Sequence, residues 1–138
     1  MEGELDRTFL MIKPEAVERG VQGEIINLLI KNRFRIVQMK QLRFDESRAR
    51  EFYAIHEGKP FFEELISYIT SGPVVGMELE ADRAVTMLRE LVGSTNPVEA
   101  KPGTIRYMYG TDIQRNAVHA SDSVESAEKE LAIVFSGN

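Results

Sequence analysis

The segment NAVHASDS, residues 116–123, contains His119, one of only two histidines in the chain. An imidazole can act as a nucleophile near neutral pH because its unperturbed pKa is about 6.5, provided that a neighbour fixes one ring nitrogen and leaves the other free to attack. Glu130 is an acid that could fold back to do this. On this segment alone, His119 also suits a surface or helix-capping role, so its chemistry depends on other residues.

Side chains suited to binding phosphate are spread along the chain. They are Lys13 after a short apolar run, Arg89 and Thr95 on either side of the start of a long loop, and Arg106 within it. Arginine presents a planar fork of donors that matches phosphate oxygens, and threonine adds a hydroxyl. Neither a P-loop pattern nor G-x-G-x-x-G occurs, so any phosphate would be held by side chains. Taken singly, each residue is more typical of a solvated surface.

The composition limits the kind of protein that can carry these residues. The chain has 138 residues, a formal net charge of -5 and no cysteine. We expect one domain over residues 1–138, without disulfides, thiolate zinc sites or cysteine nucleophiles. The negative charge disfavours binding to nucleic acid through phosphate neutralisation. The amino terminus is acidic, and no apolar stretch approaches the length of about 18 residues that a membrane-spanning helix requires. These features predict a soluble cytoplasmic protein with no membrane span.

Hydrophobic periodicity predicts the elements that must position these side chains. Residues 7–13 form an apolar run stopped by Pro14, which is typical of a strand buried on both faces. Residues 23–32 carry a helical apolar stripe and further apolar residues that favour burial on a second side. Residues 34–44 predict a longer strand, and residues 45–57 predict a polar helix whose first residue, an aspartate, is its N-cap.

The second half of the chain continues this alternation. Residues 60–69 repeat apolar side chains with a helical period, residues 72–80 alternate as a strand with one packed face, and residues 81–93 predict a helix ended by its final glycine. A short helix with a capping box at Asp122 and a last strand over residues 130–135 complete the chain.

The order of these elements predicts an α/β (α+β) fold of the ferredoxin-like, split βαβ type, with a four-stranded antiparallel sheet covered by helices. A doubly wound parallel sheet is the alternative topology.

The segment over residues 93–116 is too long and too rich in glycine and proline for a simple connector. We therefore expect this loop to be functional.

Taken together, these residues resemble one family, the nucleoside diphosphate kinases, from about Thr8 to Phe135. The matching segments, in that family's order, are TFLMIKPEAV, GEII, KPFF, SGPVVGMELE, STNPVEAKPGTIR and NAVHASDSVESAEKE. The resemblance implies a ping-pong enzyme in which a nucleoside triphosphate phosphorylates His119 and a nucleoside diphosphate then takes the phosphoryl group, with broad base specificity. It also implies Mg²⁺ that bridges phosphate oxygens with few or no direct protein ligands.

The resemblance also implies a role for each site residue. Lys13 and Asn116 match residues that hold the ribose hydroxyls, with Lys13 also near the transferring group. Arg89, Thr95 and Arg106 match residues that bind phosphate, and His56 matches a histidine near the innermost phosphate. Phe61 matches the aromatic residue on which the base stacks, and Ile113 stands in place of a usual valine. Tyr53 matches a tyrosine beside the catalytic histidine, and Ser121 and Glu130 match residues that lie behind its ring.

The sequence departs from the family pattern in three places. Ala120 stands where glycine usually follows the histidine, Tyr107 and Met108 replace a common Gly-Asp pair, and Glu15 replaces a frequent aspartate. Alanine at position 120 would be strained if that position required a positive φ. A change at Tyr107 could reshape a subunit contact.

The resemblance further implies a homo-oligomer built from dimers, with a hexamer favoured over a tetramer. The loop that contains Pro97 and Pro102 is the segment that the family uses in trimer-like contacts. A regulatory module without turnover and a histidine phosphocarrier are the alternative functions. The full set of phosphate-binding residues disfavours the first, and Phe61 with Asn116 disfavours the second, because a carrier needs neither a base platform nor a ribose ligand.

Overall fold

A four-stranded antiparallel sheet in the order β2-β3-β1-β4 is the framework of the computed structural model, which describes residues 5–136. The strands are β1 (Leu5–Ile12), β2 (Arg35–Leu42), β3 (Val74–Asp82) and β4 (Val118–Ala120). Every neighbouring pair of strands is antiparallel. The ferredoxin-like prediction is therefore confirmed, and the doubly wound parallel alternative is wrong.

Helices connect and cover these strands. Within residues 5–136 they are α1 (Pro14–Arg19), α2 (Gln22–Lys31), α3 (Glu46–Phe52), α4 (Phe62–Ile69), α5 (Ala84–Val92), α6 (Ile105–Tyr109) and α7 (Val124–Phe135), with 3₁₀ turns at Ala54–His56 and Pro97–Glu99. Asp45 caps α3 as predicted, since its carboxylate accepts from the Arg48 N–H at 2.7 Å. None of these helices has the length and apolar character required to cross a membrane.

Two apolar cores lie on opposite faces of the sheet. Leu10 and Ile12 of β1 pack with α2 and α5 on one face, and Phe9 and Met11 pack with α3, α4 and α7 on the other. Successive residues of a strand point to opposite faces, so a strand covered on both sides reads as a continuous apolar run. The two-sided burial predicted for residues 7–13 is confirmed for this reason.

Some of the finer predictions are wrong. The strand over residues 72–80 has two packed faces, because Val74 and Val75 are buried in different cores. The second buried side predicted for α2 fails at Ile30, which is 53% exposed. The helix predicted over residues 45–57 ends early, at Phe52, and a 3₁₀ turn follows it.

The largest corrections concern the carboxyl end. Residues 130–135 were predicted as the last strand but form the second half of α7. The N-cap of this helix is Ser123 instead of Asp122, and the Ser123 hydroxyl oxygen accepts from the Ser126 N–H at 3.0 Å. The fourth strand is β4, which pairs with β1 with Met11 opposite His119. A short apolar run fits a buried helix as well as a strand, and three residues are too few to show a strand period.

Candidate active site

A cleft of about 570 Å³ opens beside the end of β1. Its walls come from β4, from the connection between α3 and α4, from α5 and from the loop over residues 93–116. Ten sequence-predicted site residues line it: Lys13, Tyr53, His56, Phe61, Arg89, Thr95, Arg106, Ile113, Asn116 and His119. Ser121 and Glu130 do not line the cleft and lie behind His119. The sequence reasoning gave no site role to the five other lining residues, Glu64, Leu65, Gln114, Ala120 and Asp122.

His119 is held from behind by a buried carboxylate. The short strand β4 presents its ring to the cleft, and its Nε2 lies 2.9 Å from Oε1 of Glu130 on α7. The Ser121 hydroxyl donates to the same oxygen at 2.6 Å. Because a carboxylate accepts hydrogen bonds and does not donate them, this contact places the imidazole proton on Nε2. The Nδ1 nitrogen then keeps a free lone pair, as a nucleophile requires.

Aromatic rings surround the His119 imidazole on its inner side. The ring centroids of Phe52, Tyr53 and Phe9 lie 5.1, 6.1 and 6.2 Å from that of the imidazole. Burial, followed by the charge of Glu130, raises the pKa of Tyr53 far above its usual range, so the phenol stays neutral. Phe9 and Phe52 were not singled out from the sequence, because their apolar context is the same as that of any core residue.

Lys13 is a buried amine linked to the loop across the cleft. Its Nζ donates to Asn116 Oδ1 at 2.8 Å and to the Gln114 carbonyl at 3.3 Å, and Asn116 Nδ2 donates to the Thr95 carbonyl at 2.9 Å. Burial lowers the pKa of Lys13 to about 7, and the charge of Arg106 adds to this effect. A polyanion in the cleft would favour the charged amine and so raise this pKa.

Arg106 is a buried cation in the same cleft. Its Nη2 donates to the Val118 carbonyl at 2.8 Å and its Nη1 to the Gly93 carbonyl at 3.2 Å, which ties α6 to β4 and to the end of α5. Burial, with a smaller contribution from Arg89, lowers the pKa of Arg106 to about 10. With Lys13, these side chains concentrate positive charge in the cleft of an acidic protein, so the cleft suits a phosphate-bearing ligand.

Exposed apolar side chains mark the outer part of the cleft. Phe61 is 45% exposed and Ile113 is 60% exposed. Lys59 places its Nζ 5.9 Å from the Phe61 ring centroid and 3.1 Å from Nδ1 of His56. Burial, followed by the charge of Lys59, lowers the pKa of His56. An exposed aromatic face of this kind suits stacking of a flat ligand ring.

Backbone strain occurs at Ala117 and not at Ala120. Ala120 lies in β4, and the residues with positive φ outside glycine within the described part of the chain are Arg33, Arg83 and Ala117. The alanine that replaces the usual glycine is therefore unstrained. Ala117 has a φ of 78°, and its carbonyl accepts from the Lys13 N–H at 2.9 Å. This turn leads from Asn116 into the strand that carries His119.

Comparison with known proteins identifies the family. The model of the nucleoside diphosphate kinase family matches residues 6–138. The chain belongs to the nucleoside diphosphate kinase family. It is 51% identical to the enzyme of Pelotomaculum thermopropionicum, over 97% of this chain and 90% of that protein, and 52% identical to that of Archaeoglobus fulgidus, over 96% and 87%. The predicted activity, phosphoryl transfer between nucleotides, is thereby confirmed.

Solved nucleoside diphosphate kinases share the fold as well. An Aquifex aeolicus nucleoside diphosphate kinase superposes with a TM-score of 0.94 at 43% identity, covering 97% of both chains. The halophilic nucleoside diphosphate kinase of Halobacterium salinarum, described in complex with CDP, has a TM-score of 0.93 at 43% identity, covering 97% of this chain and 90% of that one. The likeness therefore extends across the whole sheet and its helices.

Nucleoside diphosphate kinases use a divalent cation. Within residues 5–136, no group of three or more histidine, aspartate or glutamate side chains is arranged to hold a metal ion. The acidic residues that line the cleft are Glu64 and Asp122, and Lys13, Arg89 and Arg106 line it as well. This donor set fits a cation that arrives with the phosphates of a nucleotide better than one held by the protein alone.

Proposed function

We propose that His119 carries the phosphoryl group between a nucleoside triphosphate and a nucleoside diphosphate. The supporting observation is the 2.9 Å contact of its Nε2 with Glu130, which leaves Nδ1 free. Nδ1 attacks the terminal phosphorus, a P–N bond forms, and the bond to the bridging oxygen breaks with its electron pair leaving on the nucleoside diphosphate. In the second half, a terminal oxygen of another nucleoside diphosphate attacks the phosphorus and the P–N electron pair returns to Nδ1.

In this proposal the charged residues of the cleft bind the sugar and phosphates. Arg89, Thr95 and Arg106 bind phosphate oxygens, and their position around one cleft supports this assignment. Lys13 and Asn116, whose side chains are 2.8 Å apart, hold the ribose hydroxyls, and Lys13 also offsets charge at the transferring group. Nucleotide binding would thus position the terminal phosphate for attack.

The remaining residues orient the base and the catalytic ring. The base stacks on Phe61 with Ile113 as an apolar neighbour, and His56 contacts the innermost phosphate. Tyr53 packs beside the imidazole, and Ser121 and Glu130 hold it in the reactive orientation. Every base has a π-face, so stacking contributes affinity while it reads little of the base identity, which supports broad base specificity.

We also propose that the divalent cation is Mg²⁺, held mainly by nucleotide phosphates and water. Support comes from the lining of the cleft, which has few carboxylates and several cations among the described residues. When bound, Mg²⁺ offsets the negative charge of the phosphates during transfer. The protein residues on the same phosphates are Arg89, Thr95 and Arg106.

The proposal extends to assembly, domain structure and location. We propose a homo-oligomer, with a hexamer favoured over a tetramer. Support comes from the exposed apolar side chains of Val98, Tyr107 and Met108 within residues 93–116, which a neighbouring subunit could cover. A single domain over residues 1–138 is supported by the one sheet that both cores share. We propose a cytoplasmic location because nucleoside diphosphates and triphosphates, the family's substrates, are abundant in that compartment.

A labelling experiment tests the central proposal. The chain, incubated with a nucleoside triphosphate labelled in its terminal phosphate and no acceptor, should acquire a label that is lost in acid and kept in base, as a phosphoramidate is. A chase with a different nucleoside diphosphate should move the label to that nucleotide, which neither a binding module nor a carrier fed by a protein would do. His119→Ala should lose the label and turnover, whereas His56→Ala, the control for the other histidine, should still be labelled. Substantial turnover in His119→Ala would refute the mechanism.

A further inference from the structure

Glu64 lines the nucleotide cleft but has no role in the proposed reaction. A second groove, of about 480 Å³, adjoins the cleft and shares Glu64, Ile113 and Gln114 with it. None of the residues around His119 lines this second groove. Glu64 therefore stands at the end of the cleft away from the phosphoryl-transfer residues, where the exposed Phe61 also lies.

Glu64 and Phe61 line the same cleft from the start of α4. Phe61 is the N-cap of α4, and Glu64 follows it by three residues, a spacing that puts two side chains on the same side of a helix. The neighbouring Glu63 points elsewhere and pairs with Arg50 at 2.7 Å. Within residues 5–136, no side-chain hydrogen bond or ion pair engages Glu64, so its carboxylate is available to a ligand.

We propose that Glu64 contacts the edge of the base and favours guanine. This inference rests on the proposed stacking of the base on Phe61. A carboxylate only accepts hydrogen bonds, and guanine presents two donors side by side, its N1–H and its 2-amino group. Two parallel hydrogen bonds to one charged carboxylate form a strong and directional pair.

The other bases fit this carboxylate less well. Adenine and cytosine each place a ring-nitrogen acceptor next to their amino group, and this lone pair repels a carboxylate. Uracil offers a single N–H between two carbonyl oxygens. Because Glu64 is exposed, water competes for the carboxylate, and the preference for guanine should stay near about 3- to 10-fold. A preference of this size is compatible with broad base specificity.

The test compares GTP with ITP, which has the same purine ring without the 2-amino group. Single-turnover phosphorylation of the wild-type chain should have a kcat/KM about 3- to 10-fold higher with GTP than with ITP. Glu64→Ala should bring this ratio close to one, chiefly by lowering the kcat/KM for GTP, and a thermal unfolding midpoint close to that of the wild type shows that the variant is folded. Glu63→Gln, on the same helical turn, is the matched control and should keep the wild-type ratio.

The outcomes separate this inference from the proposed function. A GTP to ITP ratio of about one in the wild type, or a ratio that Glu64→Ala leaves unchanged, would overturn the role of Glu64 alone. A wild-type chain that no nucleoside triphosphate phosphorylates would overturn the proposed function and this inference with it. A ratio that falls equally in Glu63→Gln would also contradict the inference, because a general change in surface charge would then explain it.

Discussion

At the scale of single residues, Glu130 lies behind the His119 ring and outside the lining of the cleft, so Glu130→Gln should separate transfer from binding. The amide lacks the charge that holds the proton on Nε2. We expect phosphorylation to slow by about 10- to 100-fold, by analogy with partners of metal-bound histidines, while affinity for a nucleoside diphosphate is nearly unchanged. Rapid-quench kinetics and calorimetric titration measure the two quantities. Glu128→Gln, an exposed position on the same helix, is the control. Wild-type phosphorylation rates in Glu130→Gln would contradict the assignment.

The lowered pKa of Lys13 predicts that nucleotide binding takes up a proton. In the free protein this pKa is about 7 because the amine is buried. Bound phosphates favour the charged form and raise the pKa, so at pH 8 a nucleoside diphosphate should bind with net proton uptake. Calorimetry in two buffers with different ionisation enthalpies measures this uptake, which Lys13→Met should lose. Binding of the wild type without proton exchange at pH 8 would show that Lys13 is already charged.

The same shift affects stability. The pKa of a lysine in an unfolded chain is about 10.4. Between pH 7 and pH 10 the unfolded chain therefore binds more protons at Lys13 than the folded protein does. The contribution of Lys13 to the free energy of unfolding therefore rises with pH across this window and is least favourable below pH 7. The buried Lys13 amine thus lowers the free energy of unfolding most below pH 7, where it carries a charge in the folded protein.

At the scale of elements, the end of α5 controls the position of α6. Gly93 has a φ of 93°, and a Cβ built there would lie 2.6 Å from the Thr104 hydroxyl oxygen. Thr104 caps α6 by accepting from the Tyr107 N–H at 3.3 Å. The Gly93 carbonyl also accepts from Arg106. A side chain at this glycine would therefore displace Arg106, the residue that we propose binds phosphate.

Gly93→Ala should consequently lower both stability and nucleotide affinity. Gly103→Ala is the matched control, because Gly103 has a similar φ of 92° and an added Cβ would meet nothing within 4 Å. Both variants carry the backbone strain, but only Gly93→Ala adds overpacking, which should cost about 1–3 kcal/mol more. Urea denaturation and nucleoside diphosphate titration measure the two effects. Equal losses in the two variants would mean that Thr104 moves aside without consequence.

At the scale of the whole molecule, the loop over residues 93–116 presents apolar surface that a neighbouring subunit could cover. Val98 is 84% exposed at the 3₁₀ turn of this loop. We expect a solution mass at low micromolar concentration near six times 15.6 kDa. Val98→Asp should reduce this mass, because a charge in a subunit contact is costly to desolvate. Val124→Asp, at an exposed apolar position outside the loop, is the control. A wild-type monomer would contradict both the hexamer and the tetramer.

The sequence by itself determined the elements with strong local signals. β1 was predictable because an apolar run ends at Pro14, α3 begins at its Asp45 cap, and α5 ends at Gly93. These signals are local because a proline, a cap and a glycine act on their own backbone. The order of the family's motifs likewise identified the residues that line the cleft, since each motif keeps its site residue at a set position.

Only the tertiary structure decided how distant residues meet. Lys13 and Asn116 are 103 positions apart in sequence and 2.8 Å apart in the cleft. The three residues of β4 form a strand because the edge of β1 is available to pair with them. Residues 130–135 form a helix because α7 packs its apolar side on the sheet. Local periodicity is the same for a buried helix and a buried strand of this length, so long-range packing selects between them and places Glu130 behind His119.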